Sequence, residues 1–341
     1  MTPPASLTVV IAAYNEQAAL PSMHRRLSAT LDALDMESRV LYVDDGSRDG
    51  TWAVLRGLAE HDSRVGLLRL SRNFGKELAL TAGLDRVDSD ATVVMDADGQ
   101  DPPELLPRFI AKWREGYDVV YGTRLSRSGE SWLKKTTASA FYRVINRLSN
   151  TGMPADTGDF RLMSRRVLEA LRGLRERQRF MKGLFAWVGF RQTAIAYERE
   201  PRAAGSSKFN YWRLWNFALE GITSFSTAPL RVATYLGLTT AIAAFCYGGW
   251  IITRTLLWGD PVQGWPTMMA VVLFLGGVQL MALGIIGEYL GRLYLEAKQR
   301  PLYLVQDWQP AIPEAGVGPR AYDVAMESRA GAAHAQRQSD S

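Results

Sequence analysis

Two uncharged runs limit what this chain can fold into more than any other feature. Thr234–Thr253 holds twenty residues without a charge, and Pro266–Ile286 holds twenty-one. At about 1.5 Å per residue, roughly 20 residues cross the hydrocarbon layer of a bilayer. Neither run shows a polar face, so the core helix of a soluble protein explains them poorly. Trp258–Trp265 (WGDPVQGW) links them as a short turn with aromatic ends suited to the membrane interface. The expectation is a transmembrane hairpin over 230–290, with spans at about 232–256 and 266–288. Arg231 precedes it and Arg292, Lys298 and Arg300 follow it, whereas the link has only Arg254 near its edge. The positive-inside rule then puts both ends in the cytoplasm. Met1–Ser6 is too short for a cleavable leader and runs straight into a strand-like segment, so the first domain is also expected in the cytoplasm.

The first 208 residues follow a different pattern. Leu7–Ala12, Arg39–Val43, Val65–Leu70, Ala91–Met95 and Asp118–Gly122 read as strands. Helical stretches lie between them, near 17–34, 50–60, 76–86 and 103–115. Such alternation with nearly continuous apolar strands predicts an α/β domain with a largely parallel, doubly covered sheet. Ligands of these sheets bind beyond the carboxyl ends of the strands, and this is where the polar clusters of the sequence fall. After the domain, Phe209–Phe225 places Tyr211, Leu214, Trp215, Ala218, Leu219, Ile222 and Phe225 on one helical face. An amphipathic core helix would read the same way. The aromatic load and the position before the first span favour a helix over 209–229 lying in the headgroup layer. Residues 291–341 are expected to form a cytoplasmic tail, disordered from about 312, where Ala, Gly, Ser and Gln dominate.

The charge distribution narrows the partners. Between Arg161 and Arg213 stand thirteen Lys/Arg against four acids, in a chain of net charge +5. A solvated surface and a nucleic-acid site both fit such a run. Because it leads directly into membrane-seeking sequence, lipid headgroups or a lipid phosphate are the better partners, and nucleic acid is not expected. Cys246 is the sole cysteine, and His24, His61 and His334 have no ligand spacing. Any metal is therefore expected on oxygen ligands, as Mg2+ or Mn2+.

The turn after the first strand, IAAYNEQAAL, has no glycine, and no GxxxxGK[ST] loop exists, so neither glycine-rich phosphate loop is present. Acids stand at the strand ends instead: Glu16, Asp44, Asp45, Asp96 and Asp98. Asp96 and Asp98, with the Gln100 amide oxygen, suit one hard divalent ion, water and substrate phosphates completing its shell. Such an ion stabilises a departing diphosphate, the leaving group of sugar transfer from a nucleotide donor. Ser47 and Asp49 are expected to cap the helix that follows them.

AYNE (Ala13–Glu16), VDDGSRDGT (Val43–Thr51), SRNFGK (Ser71–Lys76), DADGQDPPE (Asp96–Glu104) and GTR (Gly122–Arg124) resemble glycosyltransferase family 2. Within it they are similar to the polyprenyl-phosphate branch, which includes dolichol-phosphate mannose synthases and bacterial polyprenyl-phosphate glucosyltransferases. TGDFRLMSRR (Thr157–Arg166), GSSKF (Gly205–Phe209) and the two-span hairpin extend the resemblance over roughly residues 7–300. Gly99 is one departure, at a position where the family commonly has a bulkier apolar residue.

The resemblance implies a GT-A fold and a set of roles. Tyr14, Glu16, Asp44 and Asp45 would line the nucleoside pocket. Asp96, Asp98 and Gln100 would hold the metal and diphosphate. Arg124, Arg161, Ser207 and Lys208 would meet the acceptor phosphate; for Arg161 and Lys208, a headgroup contact or plain surface charge competes with that role. Asn73 and Lys76 are read as structural or supporting. Asp159 is a candidate catalytic residue, either a base or a group that orients the sugar or Arg161. The expected reaction is an inverting, metal-dependent transfer from UDP-glucose, with GDP-mannose as the alternative, to undecaprenyl or another polyisoprenyl phosphate. A processive polysaccharide synthase would need a QxxRW motif and more spans. A lipid flippase would need a midplane charge. A non-catalytic scaffold that binds nucleotide sugar is opposed by the intact Asp96, Asp98 and Gln100. The oligomeric state stays open, a homo-oligomer included.

Overall fold

The computed structural model of the chain describes residues 5–124, 157–177, 179–198, 228–258 and 264–311. Its centre is one eight-stranded sheet. The elements are β1 (Ser6–Ala13), α1 (Leu20–Asp32), β2 (Glu37–Asp44), α2 (Thr51–His61), β3 (Val65–Leu70), α3 (Lys76–Leu84) and β4 (Ala91–Asp96). A 3-10 turn (Pro103–Leu105), α4 (Leu106–Arg114), β5 (Val119–Arg124) and β6 (Thr157–Ser164) come next. α5 (Arg165–Gly173), α6 (Met181–Trp187) and β7 (Gln192–Tyr197) complete the first unit. Two long helices, α7 (Ala228–Trp258) and α8 (Trp265–Ala297), precede a last strand, β8 (Val305–Gln309).

All five sequence-predicted strands form, and the strand order is β7-β5-β6-β4-β1-β2-β3-β8. β1, β2, β3 and β4 run parallel, as do β5 and β7. β6 is antiparallel between β4 and β5, and β8 is antiparallel on β3. Alternation along β1 explains the three layers. Leu7, Val9, Ile11 and Ala13 face a core with Leu20, Leu27, Leu55 and Phe109 of α1, α2 and α4. Val10 faces the opposite core, with Leu80 of α3, Leu168 of α5 and Phe185 of α6. α3 lies especially close to the sheet: a Cβ at Gly83 would meet Val10 Cγ1 at 2.5 Å and Val43 Cγ2 at 2.9 Å.

α7 and α8 pack on each other. Within them Leu230–Ile251 and Phe274–Ala297 are long and apolar enough to cross a membrane, and neither is buried by protein. Their apolar side chains, Phe245, Trp250 and Leu283 among them, are exposed. At 31 and 33 residues, the helices rise about 46 and 50 Å, more than the roughly 30 Å layer requires.

The segment beyond the second apolar run, read from sequence as a tail, continues α8 and then rejoins the sheet. Arg177 N–H donates to Glu296 Oε1 at 2.7 Å, and its side chain bonds the Arg300 carbonyl. The Tyr303 hydroxyl donates to Asp85 Oδ2 at 2.8 Å. Arg86 stands over the rings of Tyr303 and Trp308, 5.9 and 5.5 Å from their centroids. Ser71 N–H donates to the Leu304 carbonyl at 2.9 Å, and β8 then covers the edge of β3. The expected interfacial helix at 209–229 (its residue 228 opens α7) and the expected disorder from 312 lie outside the described residues.

Candidate active site

Register alone assembles the site. Ala13 pairs with Asp44 and Ala12 with Asp96, so acids from β2 and β4 flank the carboxyl end of β1. Val94 pairs with Arg161 across the antiparallel β4–β6 ladder. Two residues further along, that register sets Asp159 opposite Asp96. Three separate sequence clusters thus share one edge of the sheet, where parallel α/β sheets bind ligands.

The loops above β1 and β2 are laced together. Asn15, in the left-handed region at φ 57°, donates its N–H to Ser47 Oγ at 3.0 Å and accepts the Arg48 N–H at 2.9 Å. Gln17 accepts the Gly50 N–H at 2.7 Å, and Thr51 Oγ1 bonds the Glu16 N–H at 2.8 Å. Asp49 accepts the Thr51 N–H at the start of α2, as expected. Ser47 instead reaches across to the first loop, a tertiary bond that local capping rules do not foresee. Tyr14 is 40% exposed on this surface, and Glu16 is half-buried beside it.

Asp44 and Asp45 have different environments. Asp44 is wholly buried; its Oδ1 accepts the Ser47 N–H at 3.0 Å, and its Oδ2 lies 3.2 Å from Arg69 Nε. Neither that oxygen nor that nitrogen has an aligned hydrogen bond, so the two meet as a buried ion pair. Asp45 commits both oxygens to the next loop, accepting the N–H groups of Phe74 at 2.7 Å and Gly75 at 2.9 Å. Burial raises its carboxyl above the ordinary range, and these two amides oppose that rise. Asp45 therefore holds in place the loop that carries Lys76.

The Lys76 ammonium is the centre of the other half. It lies 2.5 Å from Asp96 Oδ1 and 2.5 Å from Asp159 Oδ2. Burial opposes its charge, but the two carboxylates outweigh burial and hold it well above the usual lysine range. For Asp159, burial alone would raise the carboxyl; Lys76, Lys182 and Arg161 outweigh it and hold the group down at about 2. Its Oδ1 is buried without a hydrogen-bond partner.

Arg161 is 5% exposed. Its guanidinium donates to the carbonyls of Asp159 and Gly158, at 3.3 and 2.8 Å, and lies 3.8 Å over the Phe185 ring. In this arrangement it braces the turn that presents Asp159. Arg124 ends β5, paired with Tyr197 of β7. Ser207 and Lys208 lie outside the described residues.

In the Asp96–Ala97–Asp98 turn, Asp98 Oδ1 accepts the Gln100 N–H at 3.1 Å, and the next residue, Asp101, accepts the Tyr197 hydroxyl at 2.7 Å. Gly99 has φ 72°, a region a bulkier residue enters only with strain. Gln100 is buried. Among the described residues no three His, Cys, Asp or Glu side chains form a metal-binding group. The donor set nevertheless fits a hard divalent ion: two carboxylates of one turn, one of them already against a cation, with the remaining positions left for water and phosphate oxygens.

Lys76, read from the sequence as structural or supporting, lies against both Asp96 and Asp159. Its only local signal is its place at the start of α3, and its contact with Asp159 joins residues 83 apart in the chain.

Comparison with known proteins follows the same division of the chain. Residues 8–172 match the family described as glycosyl transferase family 2, and residues 228–293 match the GtrB C-terminal hairpin. An uncharacterized glycosyltransferase of Synechocystis sp. is 51% identical over 88% of this chain and 95% of its own length. A protein of Shigella phage SfX named bactoprenol glucosyl transferase is 47% identical over 88% of this chain and 98% of its own. A prophage bactoprenol glucosyl transferase homolog of Escherichia coli K12 is 44% identical over the same shares. With that identity over nearly the whole chain, and with the strand-end acids on a GT-A sheet, the protein belongs to glycosyl transferase family 2 and is a glycosyltransferase.

Proposed function

We propose that the enzyme transfers a sugar from a nucleotide donor to a polyisoprenyl phosphate, UDP-glucose being the favoured donor, and yields a lipid-linked monosaccharide with inverted configuration. The observation that carries this reading is the meeting of Asp44, Asp96 and Asp159 at one sheet edge in a chain that also holds an apolar hairpin. The relatives named bactoprenol glucosyl transferase support the acceptor class and the sugar.

Asp44, Tyr14 and Glu16 are the proposed partners of the base or ribose; Tyr14 and Glu16 lie at the surface, and Asp44 is buried against Arg69. Asp96, Asp98 and Gln100 would hold Mg2+ or Mn2+, which when bound stabilises charge on the departing diphosphate. A lipid phosphate monoester, with a second pKa of about 6, is already a dianion at neutral pH and needs no strong base. An Asp159 carboxyl held at about 2 is a weak base, which suits a positioning role toward the sugar. Arg124, Ser207 and Lys208 are the proposed partners of the acceptor phosphate, cations and a hydroxyl fit for a phosphate leaving water. Arg161, from its buried place, supports the Asp159 turn.

The hairpin would seat the enzyme in the inner membrane and bring the lipid phosphate to the donor, so that proximity supplies part of the rate. β8 follows the hairpin and joins the catalytic sheet, which supports a topology with both ends of the hairpin on the catalytic side. The basic flanks support that side being the cytoplasm.

The test incubates purified protein with polyprenyl phosphate, Mn2+ or Mg2+, and UDP-glucose or GDP-mannose in turn, and identifies the lipid product by mass spectrometry. Glucosyl phospholipid from UDP-glucose, lost on chelation, is expected. Full turnover in excess chelator would overturn the metal, and a product from GDP-mannose alone would overturn the donor.

A further inference from the structure

Carboxylates brought together on neighbouring strands repel, and the β4–β6 register, continued two residues past the Val94–Arg161 pair, brings Asp96 and Asp159 together. A cation between them relieves that repulsion. The described cations nearby are differently employed. Arg161 spends its guanidinium on two backbone carbonyls and an aromatic face. Among the described residues Lys76 lies against both carboxylates, at 2.5 Å each, and Lys182 adds positive charge near Asp159.

Its position is also fixed from several sides. Phe74 and Gly75 are tied to Asp45, Ser71 is tied to the Leu304 carbonyl, and α3 is drawn against β1 and β2 at Gly83. The ammonium therefore stands on the first carboxylate of the Asp96–Ala97–Asp98 turn by construction of the fold. A divalent ion approaching Asp96 meets a charge of its own sign already there.

We propose that Lys76 is a positioning residue that competes with the divalent ion for Asp96 while keeping Asp159 in place. This rests on the metal reading given above. The competition makes the metal site weak until a diphosphate arrives with charge of its own, and it ties metal binding to donor binding. Lys76 is the bridge that keeps Asp159 oriented when the ion takes up Asp96.

The test measures Mn2+ binding to the full-length protein in detergent, by the electron paramagnetic resonance signal of free Mn2+, without donor and with UDP. Wild type, Lys76→Met, Lys76→Gln and Lys76→Arg are compared, with circular dichroism to check the fold. Without donor, Lys76→Met and Lys76→Gln should bind Mn2+ more tightly, within the roughly 5- to 150-fold range of coupled sites. Lys76→Arg should stay near wild type. The advantage given by UDP should shrink in the neutral variants, because the competing charge is gone. At saturating Mn2+, the neutral variants should lose kcat with little change in KM, and Lys76→Arg should recover part of it. Unchanged or weaker Mn2+ binding in both neutral variants, with wild type binding normally, would overturn the proposal alone. Absence of Mn2+ binding to wild type with and without UDP would overturn the metal reading and this proposal with it.

Discussion

Gly83→Ala tests whether the distance between α3 and the sheet matters to both stability and catalysis. The added Cβ would lie 2.5 Å from Val10 Cγ1 and 2.9 Å from Val43 Cγ2, against about 3.5–4.0 Å for carbon atoms in contact. The helix must therefore back away from β1 by roughly 1 Å, or the two valines must leave their rotamers. Overpacking of this kind costs about 1–3 kcal/mol, and alanine in a helix returns up to about 1 kcal/mol relative to glycine. The middle of that range less the alanine gain leaves a net loss of about 1 kcal/mol, roughly 2–4 °C in melting temperature for a domain of this size. Because Lys76 opens the same helix, retreat also draws its ammonium from Asp96 and Asp159, and kcat should fall. The assay is thermal unfolding of detergent-purified protein alongside initial rates. Gly57→Ala is the control: it lies in α2, its Cβ would meet nothing within 4 Å, and it should melt at or slightly above wild type. A Gly83→Ala protein that melts as high as wild type and turns over normally would refute the reasoning.

Asp98→Asn should lower turnover by about 10²–10³, the usual cost of losing a group that stabilises developing charge; wild-type rates in that variant would remove Asp98 from the chemistry. Glu77 accepts the Met181 N–H at 2.9 Å, and burial first, then the Asp159 charge, raises its carboxyl from 4.5 to about 7. A raised acid gives stability that is full below about pH 4.5 and lost as pH climbs through about 7. Glu77→Gln should flatten the melting curve over that window, and an unaltered pH profile would count against the burial. Deleting residues 312–341 should leave solubility and melting unchanged, whereas deleting 298–341 removes β8 and should produce aggregation in size-exclusion chromatography. Equal behaviour of the two truncations would deny β8 a structural role.

Much of the fold was legible because burial on both faces writes itself as apolar runs; β1 to β5 were read from such runs. β6 was not. Its TGDFRLMS places Arg161 inside the sheet, against Phe185, where a charged residue reads as surface. β8, VQDWQ, is an edge strand with mostly exposed side chains and no core to mark it. In the site, the acids at strand ends were legible because a strand's last residue and the ligand edge coincide. The division between Asp44 and Asp45 was not, since it depends on loop 71–75 folding back over β2. Lys76 was hidden for the same reason: its partners lie 20 and 83 residues away and meet it only through strand order.

The order of synthesis gives β8 a further meaning. It is the last described strand to leave the ribosome, yet it covers a strand made some 240 residues earlier. Until the two apolar helices have emerged and turned back, β3 presents open backbone groups, the kind of rim on which chains aggregate. Completion of the catalytic sheet thus waits on synthesis of both apolar helices.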